Sequence, residues 1–288
     1  MALNDGFESR TLSVALAPEM LSAVVRDGAR VLACSEIRIT PGSGEGHWSA
    51  GLAAFETWIR HAGSGLAGVP LAISISTRWC QLAMLPWSDA LLYQDSAQRY
   101  LQERFMRIYG NAARNWEMLC DDSARGQPRL ACALEGQFAL GLREAARAHG
   151  HDNVRIESVV TATARTIVPA PCDRFALQEP GKLVLVARRY GRVVGIESQS
   201  CPVSWPAALP PAWQHWTQRP PEAGEVAQVI VFAHDSTATT MPVRPWHRDG
   251  TAYYFVQNAQ ASAQDAPDQA RERVGPARPG AHELSVGP

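Results

Sequence analysis

Histidine, acid and hydroxyl side chains crowd together at two places in this 288-residue chain. His149-Gly150-His151-Asp152 is the densest cluster of ligand-type residues, and His234-Asp235-Ser236 has the composition of a hydrolytic triad. Neither pattern carries its chemistry. Histidines at i and i+2 around a glycine do not share a helical face, so metal-ligand geometry is lacking. A surface turn at a helix C-terminus, where the dipole favours His, accounts for them. A triad works through space and needs a presented nucleophile, and no G-x-S-x-G elbow occurs anywhere. The six cysteines, Cys34, Cys80, Cys120, Cys132, Cys172 and Cys201, never form C-x-x-C and read as free thiols rather than a zinc site. No metal and no cofactor is expected.

Charged and aromatic residues at turns remain. Thr77-Arg78-Trp79 separates two apolar runs, and an exposed Trp beside an arginine is a composition enriched in interface anchors. Arg78 and Trp79 are therefore candidate partner-binding residues, with a buried corner as the other reading of Trp79. Trp87, after Pro86, sits at a strand-to-helix transition and reads as packing under the helix start. Arg188-Arg189 at a hairpin reads as solvated surface, and Glu103 with Arg107 as an i,i+4 pair on a solvated helix face. Trp205, Trp213, Trp216 and Trp246, interleaved with prolines, read as packing of an irregular lobe rather than as a peptide groove.

The elements that must position these residues follow from hydrophobic period. "LSVALAPEMLSAVVRDGARVLACSEIRI" holds three apolar runs, the last two joined by an Asp27-Gly28 hairpin signal, and predicts a three-stranded meander. Leu52, Phe55, Trp58 and Ile59 recur at helical spacing. Strands are predicted at Leu71 to Ser76 and at Cys80 to Leu85, then a long helix from Ala90 to Tyr109 with Ser88 as N-cap. "NWEMLCDD" and "RLACALE" predict a hairpin, Gln137 to His149 a helix, "NVRIESVV" a strand, and Thr161 to Ile167 a short helix. "KLVLVARRYGRVVGIES" opens a second meander, with Val226 to Phe232 and Thr251 to Val256 as later strands and residues 205 to 221 irregular or briefly helical. Residues 258–288 are poor in large apolar side chains and rich in Ala, Gln, Pro and Gly, and predict a disordered tail.

Composition bounds the function. With 27 Lys and Arg against 28 Asp and Glu, the net charge is −1, so nothing draws in nucleic acid or an anionic membrane. No run reaches the 18 or so uncharged apolar residues of a spanning helix, and the start lacks a signal-peptide core. A cytoplasmic protein without direct membrane insertion is expected.

The order of elements, meander, helix, strand, inserted elements and second meander, resembles the actin-like and ribonuclease H-like superfamily of duplicated lobes. Within it, "LSVALAPEMLSAVVRDGARVLA", "LAISISTRWCQLAMLPWSDALL", "YGNAARNWEMLCDDSARGQPRLACALEGQFALGLREAARAHG" and "KLVLVARRYGRVVGIES" look like PilM-type pilus assembly proteins and the cytoplasmic domain of GspL-type secretion proteins. The resemblance implies a mixed α/β fold with a first lobe over 11–168 that carries an inserted subdomain, and a second, reduced lobe over 169–257. It also implies a non-enzymatic scaffold of a type IV pilus or type II secretion platform. Such a scaffold binds the cytoplasmic segment of an inner-membrane partner, PilN-type or GspM-type, and is recruited peripherally to the membrane; a homodimer is left open. GspL-type proteins continue into a transmembrane helix that this sequence lacks, which favours the PilM-type arrangement. Actin-like ATPases place an acid and glycines in the first hairpin of each lobe to hold phosphates and metal. Here Leu16-Ala17-Pro18-Glu19-Met20 offers Glu19 without glycine, and Val186 to Gly191 offers two arginines, so the nucleotide cleft is expected to be inactive. The alternative is an ATP-binding enzyme whose phosphate loops have diverged.

Overall fold

The computed structural model describes residues 10–28, 30–40, 48–62, 64–121, 125–166, 172–189, 191–201, 205–217, 228–233, 246–248 and 251–257. Strands β1 (Arg10–Ala17), β2 (Met20–Asp27) and β3 (Arg30–Arg38) form the predicted antiparallel meander. Gly28 supplies the positive φ of +55° that the β2–β3 turn requires. Helix α1 (Ser49–Ala62) buries Phe55, Trp58 and Ile59. Strand β4 (Leu71–Ile75) then runs parallel to β1, with Val14 opposite Ile73.

The chain next leaves the main sheet through β5 (Cys80–Leu85), α2 (Gln94–Tyr109), β6 (Trp116–Cys120) and β7 (Arg129–Glu135). Their three strands make a small sheet in the order β5-β7-β6, packed on α2 through Leu101 and Phe105. Helix α3 (Gly136–Ala148) returns the chain to β8 (Val154–Ser158), which completes a sheet in the order β3-β2-β1-β4-β8. Leu12, Val14, Leu16 and Ile73 pack there with Phe55, Phe138 and Leu142 of α1 and α3.

Helix α4 (Val159–Thr166) leads into β9 (Cys172–Glu179), β10 (Lys182–Arg189), β11 (Arg192–Ser200), α5 (Trp205–Thr217), β12 (Gln228–Ala233), β13 (Trp246–Arg248) and β14 (Thr251–Gln257). The second sheet, β11-β10-β9-β12-β14-β13, repeats the first, a meander followed by strands parallel to its first member. Even the irregularities repeat, since the register slips near the β2–β3 turn between Val25 and Arg26 and near the β10–β11 turn between Ala187 and Arg188. Leu183, Leu185 and Ala187 of β10 face Trp213 and Trp216 of α5, while Val184 and Val186 on the other face meet Val159, Val160 and Ala164 of α4. Burial on both faces explains the unbroken apolar run of β10.

Several expectations are corrected. Ser88 caps a short 3₁₀ turn (Asp89–Leu92), with its Oγ accepting from the Ala90 N–H at 3.3 Å, and α2 starts only at Gln94 because Tyr93 is extended. The second meander opens with β9, which the sequence hid: Arg174, Gln178 and Glu179 interrupt its apolar pattern, yet all three are buried. Residues 205–217 form a full helix across Pro210 and Pro211, held by the burial of Trp213 and Trp216. His151 is buried rather than on a surface turn, with its Nδ1 3.0 Å from the Val69 carbonyl oxygen. His234-Asp235-Ser236 and the segment 258–288 lie outside the described residues.

Candidate functional site

The corner between β4 and β5, Ser76 to Trp79, is where the first lobe meets the second. Trp79 is 8% exposed, and its ring meets Phe138 edge-on at 5.6 Å between centroids. It also lies flush on α1, where a Cβ on Gly51 would sit 2.4 Å from the indole. An exposed anchor at Trp79 is therefore corrected to a core residue: the turn folds the ring inward, and Gly51 leaves the room for it. Arg78 stays exposed and its Nη1 donates to the Pro180 carbonyl across the lobe boundary at 2.6 Å. Trp87 is half-buried beneath the Arg129 guanidinium, 5.0 Å from its ring centroid.

Thr77 and Glu179 tie the lobes together. The Thr77 N–H donates to Glu179 Oε2 at 3.0 Å, the Thr77 hydroxyl donates to the same oxygen, and the Lys182 ammonium donates to the Thr77 carbonyl at 2.8 Å. Both Thr77 and Glu179 are 1% exposed. Burial lowers the pKa of Lys182, and neighbouring Arg78 pushes it the same way against the pull of Glu179 and Cys80. Glu179 and Lys182 flank the turn of the β9–β10 hairpin, Glu179-Pro180-Gly181-Lys182, with Gly181 at φ +73°. With β9 in place, this hairpin and not the Arg188 to Gly191 turn is the counterpart of Ala17-Pro18-Glu19-Met20. It does carry an acid and a glycine, but the carboxylate is turned into the first lobe and committed to Thr77. A cavity of about 430 Å³ opens beside it, lined by Arg78, Gln81, Lys182, Ser198 and Ser200 among others.

Arg188 is likewise not solvated. Its side chain is fully buried and donates to the Ala164 carbonyl in the last turn of α4, where a cation meets the negative end of the helix.

A second concavity, about 260 Å³, lies between β6 and β8, each the outer strand of its sheet among the described residues. Ile75, Cys80, Leu130, Cys132 and Leu134 contribute an apolar lining, and Leu119 is 46% exposed at its lip. Three carboxylates, Glu117, Asp121 and Glu157, line it against one guanidinium, Arg155. Arg143 of α3 donates through both terminal nitrogens to Glu117, which raises the Arg143 pKa, and Arg165 of α4 pairs with Glu157. The hydrogen bond with Cys132, followed by burial, holds the Cys80 thiol pKa well above its ordinary value, so this thiol stays protonated. Sequence reasoning missed this groove because its walls come from separate, individually ordinary segments. The one signal was Met118-Leu119, which places apolar side chains on both faces of a short strand. Among the described residues no three ligand-type side chains converge to hold a metal, and no helix is long and apolar enough to cross a membrane.

No protein-family model and no curated protein matches the sequence. Solved structures do match the fold. The chain is similar to the cytoplasmic domain of EpsL, an inner membrane component of the type II secretion system of Vibrio cholerae, with a TM-score of 0.54 at 11% identity over 91% of this chain and 95% of that one. It is similar to a chain of the PilM–PilN type IV pilus biogenesis complex, with a TM-score of 0.53 at 12% identity over 92% and 94%. A Bacteroides thetaiotaomicron protein with an actin-like ATPase fold and unknown function gives 0.52 at 10% identity over 91% and 98%. The fold is thus actin-like, with mixed α/β lobes of the kind seen in GspL-type and PilM-type proteins.

Proposed function

We propose that this protein is a non-enzymatic scaffold of a type IV pilus or type II secretion platform, and that the groove between β6 and β8 receives the cytoplasmic segment of an inner-membrane partner. The groove itself carries the reading. Its apolar lining lies between two outer strands, so an extended segment can lay alternate side chains inward while its backbone pairs with an edge. Its carboxylates Glu117 and Glu157 are already met by Arg143, Arg155 and Arg165, so the apolar lining rather than net charge is what such a segment would engage. Localisation then follows from the partner: the protein is held at the inner membrane through the groove. The likeness in fold to a secretion-system domain and to a chain of a pilus biogenesis complex supports this choice of machinery.

The nucleotide site is idle in this reading. The first hairpin has Pro18 and no glycine, and the acid of the second hairpin is spent on Thr77. The competing reading, an ATP-binding enzyme, draws on the Glu179 and Gly181 pair of that hairpin. Two measurements decide. A labelled peptide copying the partner's cytoplasmic segment should bind, and Leu119→Asp should weaken it by about thirtyfold or more, a loss of roughly 2 kcal/mol, without changing the melting temperature. Normal binding by a folded Leu119→Asp variant would remove the groove from the interface. Millimolar ATP with magnesium should leave the melting temperature unchanged, whereas a bound ligand at a hundredfold excess over Kd adds about 2.7 kcal/mol and would revive the enzyme.

A further inference from the structure

The lining of the groove between β6 and β8 holds two thiols side by side. The β5–β7 register sets Cys80 opposite Leu134 and Leu82 opposite Cys132, so both sulfurs belong to the same face of the small sheet and meet on a diagonal. They share a hydrogen bond, and the Cys80 thiol donates to the Ile75 carbonyl at 3.8 Å. Cys80 is 1% exposed, whereas Cys132 is half-buried and lines the open concavity of about 260 Å³, which gives a small ion a way in. Cys120 also reaches the groove, but its cross-strand neighbour is Ala131, one step along, so it belongs to the opposite face, packed with the residues around α2. Among the described residues no third ligand-type side chain converges with the two sulfurs.

We propose that Cys80 and Cys132 form a two-coordinate site for a soft monovalent metal ion of the copper(I) class. Two sulfurs without a third donor suit an ion that accepts linear coordination, and do not suit zinc, which takes four ligands in its structural sites. A diagonal pair also fits a bridging ion better than a direct bond: diagonal residues stand roughly 7 to 8 Å apart, whereas the Cβ atoms of a disulfide approach to about 3.8 Å. Binding is an exchange without change of oxidation state. Each thiol gives its proton to solvent and two sulfur–metal bonds form, which leaves a bis-thiolate complex with one net negative charge. Hydrogen bonding, burial and the Glu179 carboxylate keep the Cys80 thiol protonated and only the Lys182 ammonium favours the thiolate, so the charge of the ion itself must displace the protons. Ile75, Leu130 and Leu134 surround the pair with apolar side chains that keep water from the bonds. The site shares its lining with the groove but stands whether or not the groove receives a partner.

The test titrates the full chain, without oxygen, against copper(I) held by a chromogenic chelator. Wild type should withdraw one equivalent, and because two protons leave for each ion bound, its affinity should rise by up to about a hundredfold per unit of pH. Cys80→Ala and Cys132→Ala should each lower the affinity by more than the roughly hundredfold that supporting residues of a metal site command, whereas Cys34→Ala and Cys120→Ala should leave it unchanged. X-ray absorption on loaded wild type, which needs no variant to fold, should count two sulfurs around the ion. Uptake by Cys132→Ala equal to that of wild type, or a pH dependence that reports a single proton, would overturn the site. A shell of three or more ligands, or zinc bound as tightly as copper(I), would overturn its two-coordinate character.

Discussion

The corner between the lobes and the groove between β6 and β8 are two concave regions built on opposite principles. At the corner, side chains turn inward: Glu179 Oε2 accepts from Thr77 and the Trp79 ring packs on Gly51 and Phe138, while the Trp79 indole N–H and Glu179 Oε1 are buried without a hydrogen-bond partner among the described residues. In the groove, apolar side chains line an open space and Leu119 stands exposed at its lip. The first position leaves only a polar cavity beside its inward-turned side chains, whereas the second is an apolar concavity, and that contrast favours the second as the surface offered to a partner.

The harshest way to break the contrast is Trp79→Ala. Removing a ring buried against α1 and α3 should cost about 3 to 5 kcal/mol, measured by denaturant unfolding. Trp87→Ala removes a half-exposed ring under one guanidinium and should cost about 1 kcal/mol. Equal losses would mean that the corner is no more a core than the surface near α2. Next comes Glu179→Ala, which leaves two buried Thr77 donors unanswered and should cost about 2 to 3 kcal/mol. Glu179→Gln keeps the acceptor and should lose less; an effect below about 0.5 kcal/mol from the alanine variant would show that the lobes are joined elsewhere.

A gentler probe uses pH. The folded-state pKa of Lys182 lies below its ordinary 10.5, so in the alkaline window between the two the unfolded chain holds more protons. Its contribution to stability is therefore unfavourable at neutral pH and is relieved as pH rises through the folded value toward 10.5. Cys80 acts in the opposite sense over part of that window, since its raised pKa makes the unfolded thiol ionise first. Because Lys182 and Cys80 act on each other, the comparison is made in a Cys80→Ser background: subtracting the Lys182→Met curve there should leave a difference that moves in favour of Lys182 as pH climbs, and a flat difference would place Lys182 in solvent. The smallest expected effect is that of Leu119→Ala, within about 0.5 kcal/mol in stability because the side chain is already exposed. A loss above 2 kcal/mol would mean that the groove is a packing defect of the core.

Legibility in the sequence followed the physics of each segment. The first meander could be read because Asp27-Gly28 specifies its turn and because β1 and β2 are apolar enough to stand out. Strand β9 could not, since Arg174, Gln178 and Glu179 look like surface residues until their partners in the other lobe and in α5 are known; Arg174 lies over the Trp213 ring at 5.4 Å. That single omission shifted the second hairpin from Glu179 to Arg188 and hid the acid–glycine pair. For Trp79 the sequence left an exposed anchor and a buried corner both open, because the residue that makes its space, Gly51, lies 28 positions away on another element (79 − 51). The groove had no local signature beyond Met118-Leu119, being a property of which strands end up outermost among the described residues.

The burial of Arg188 has a mechanical consequence. Its guanidinium grips the end of α4, the helix that follows β8 out of the first lobe, while Val159, Val160 and Ala164 of that helix share one apolar cluster with β9, β10 and β11. Pulling α4 away from the second sheet would strip a buried cation of the helix-end carbonyl and open that cluster together. The helix is therefore anchored to the second sheet both at its end and along its apolar face.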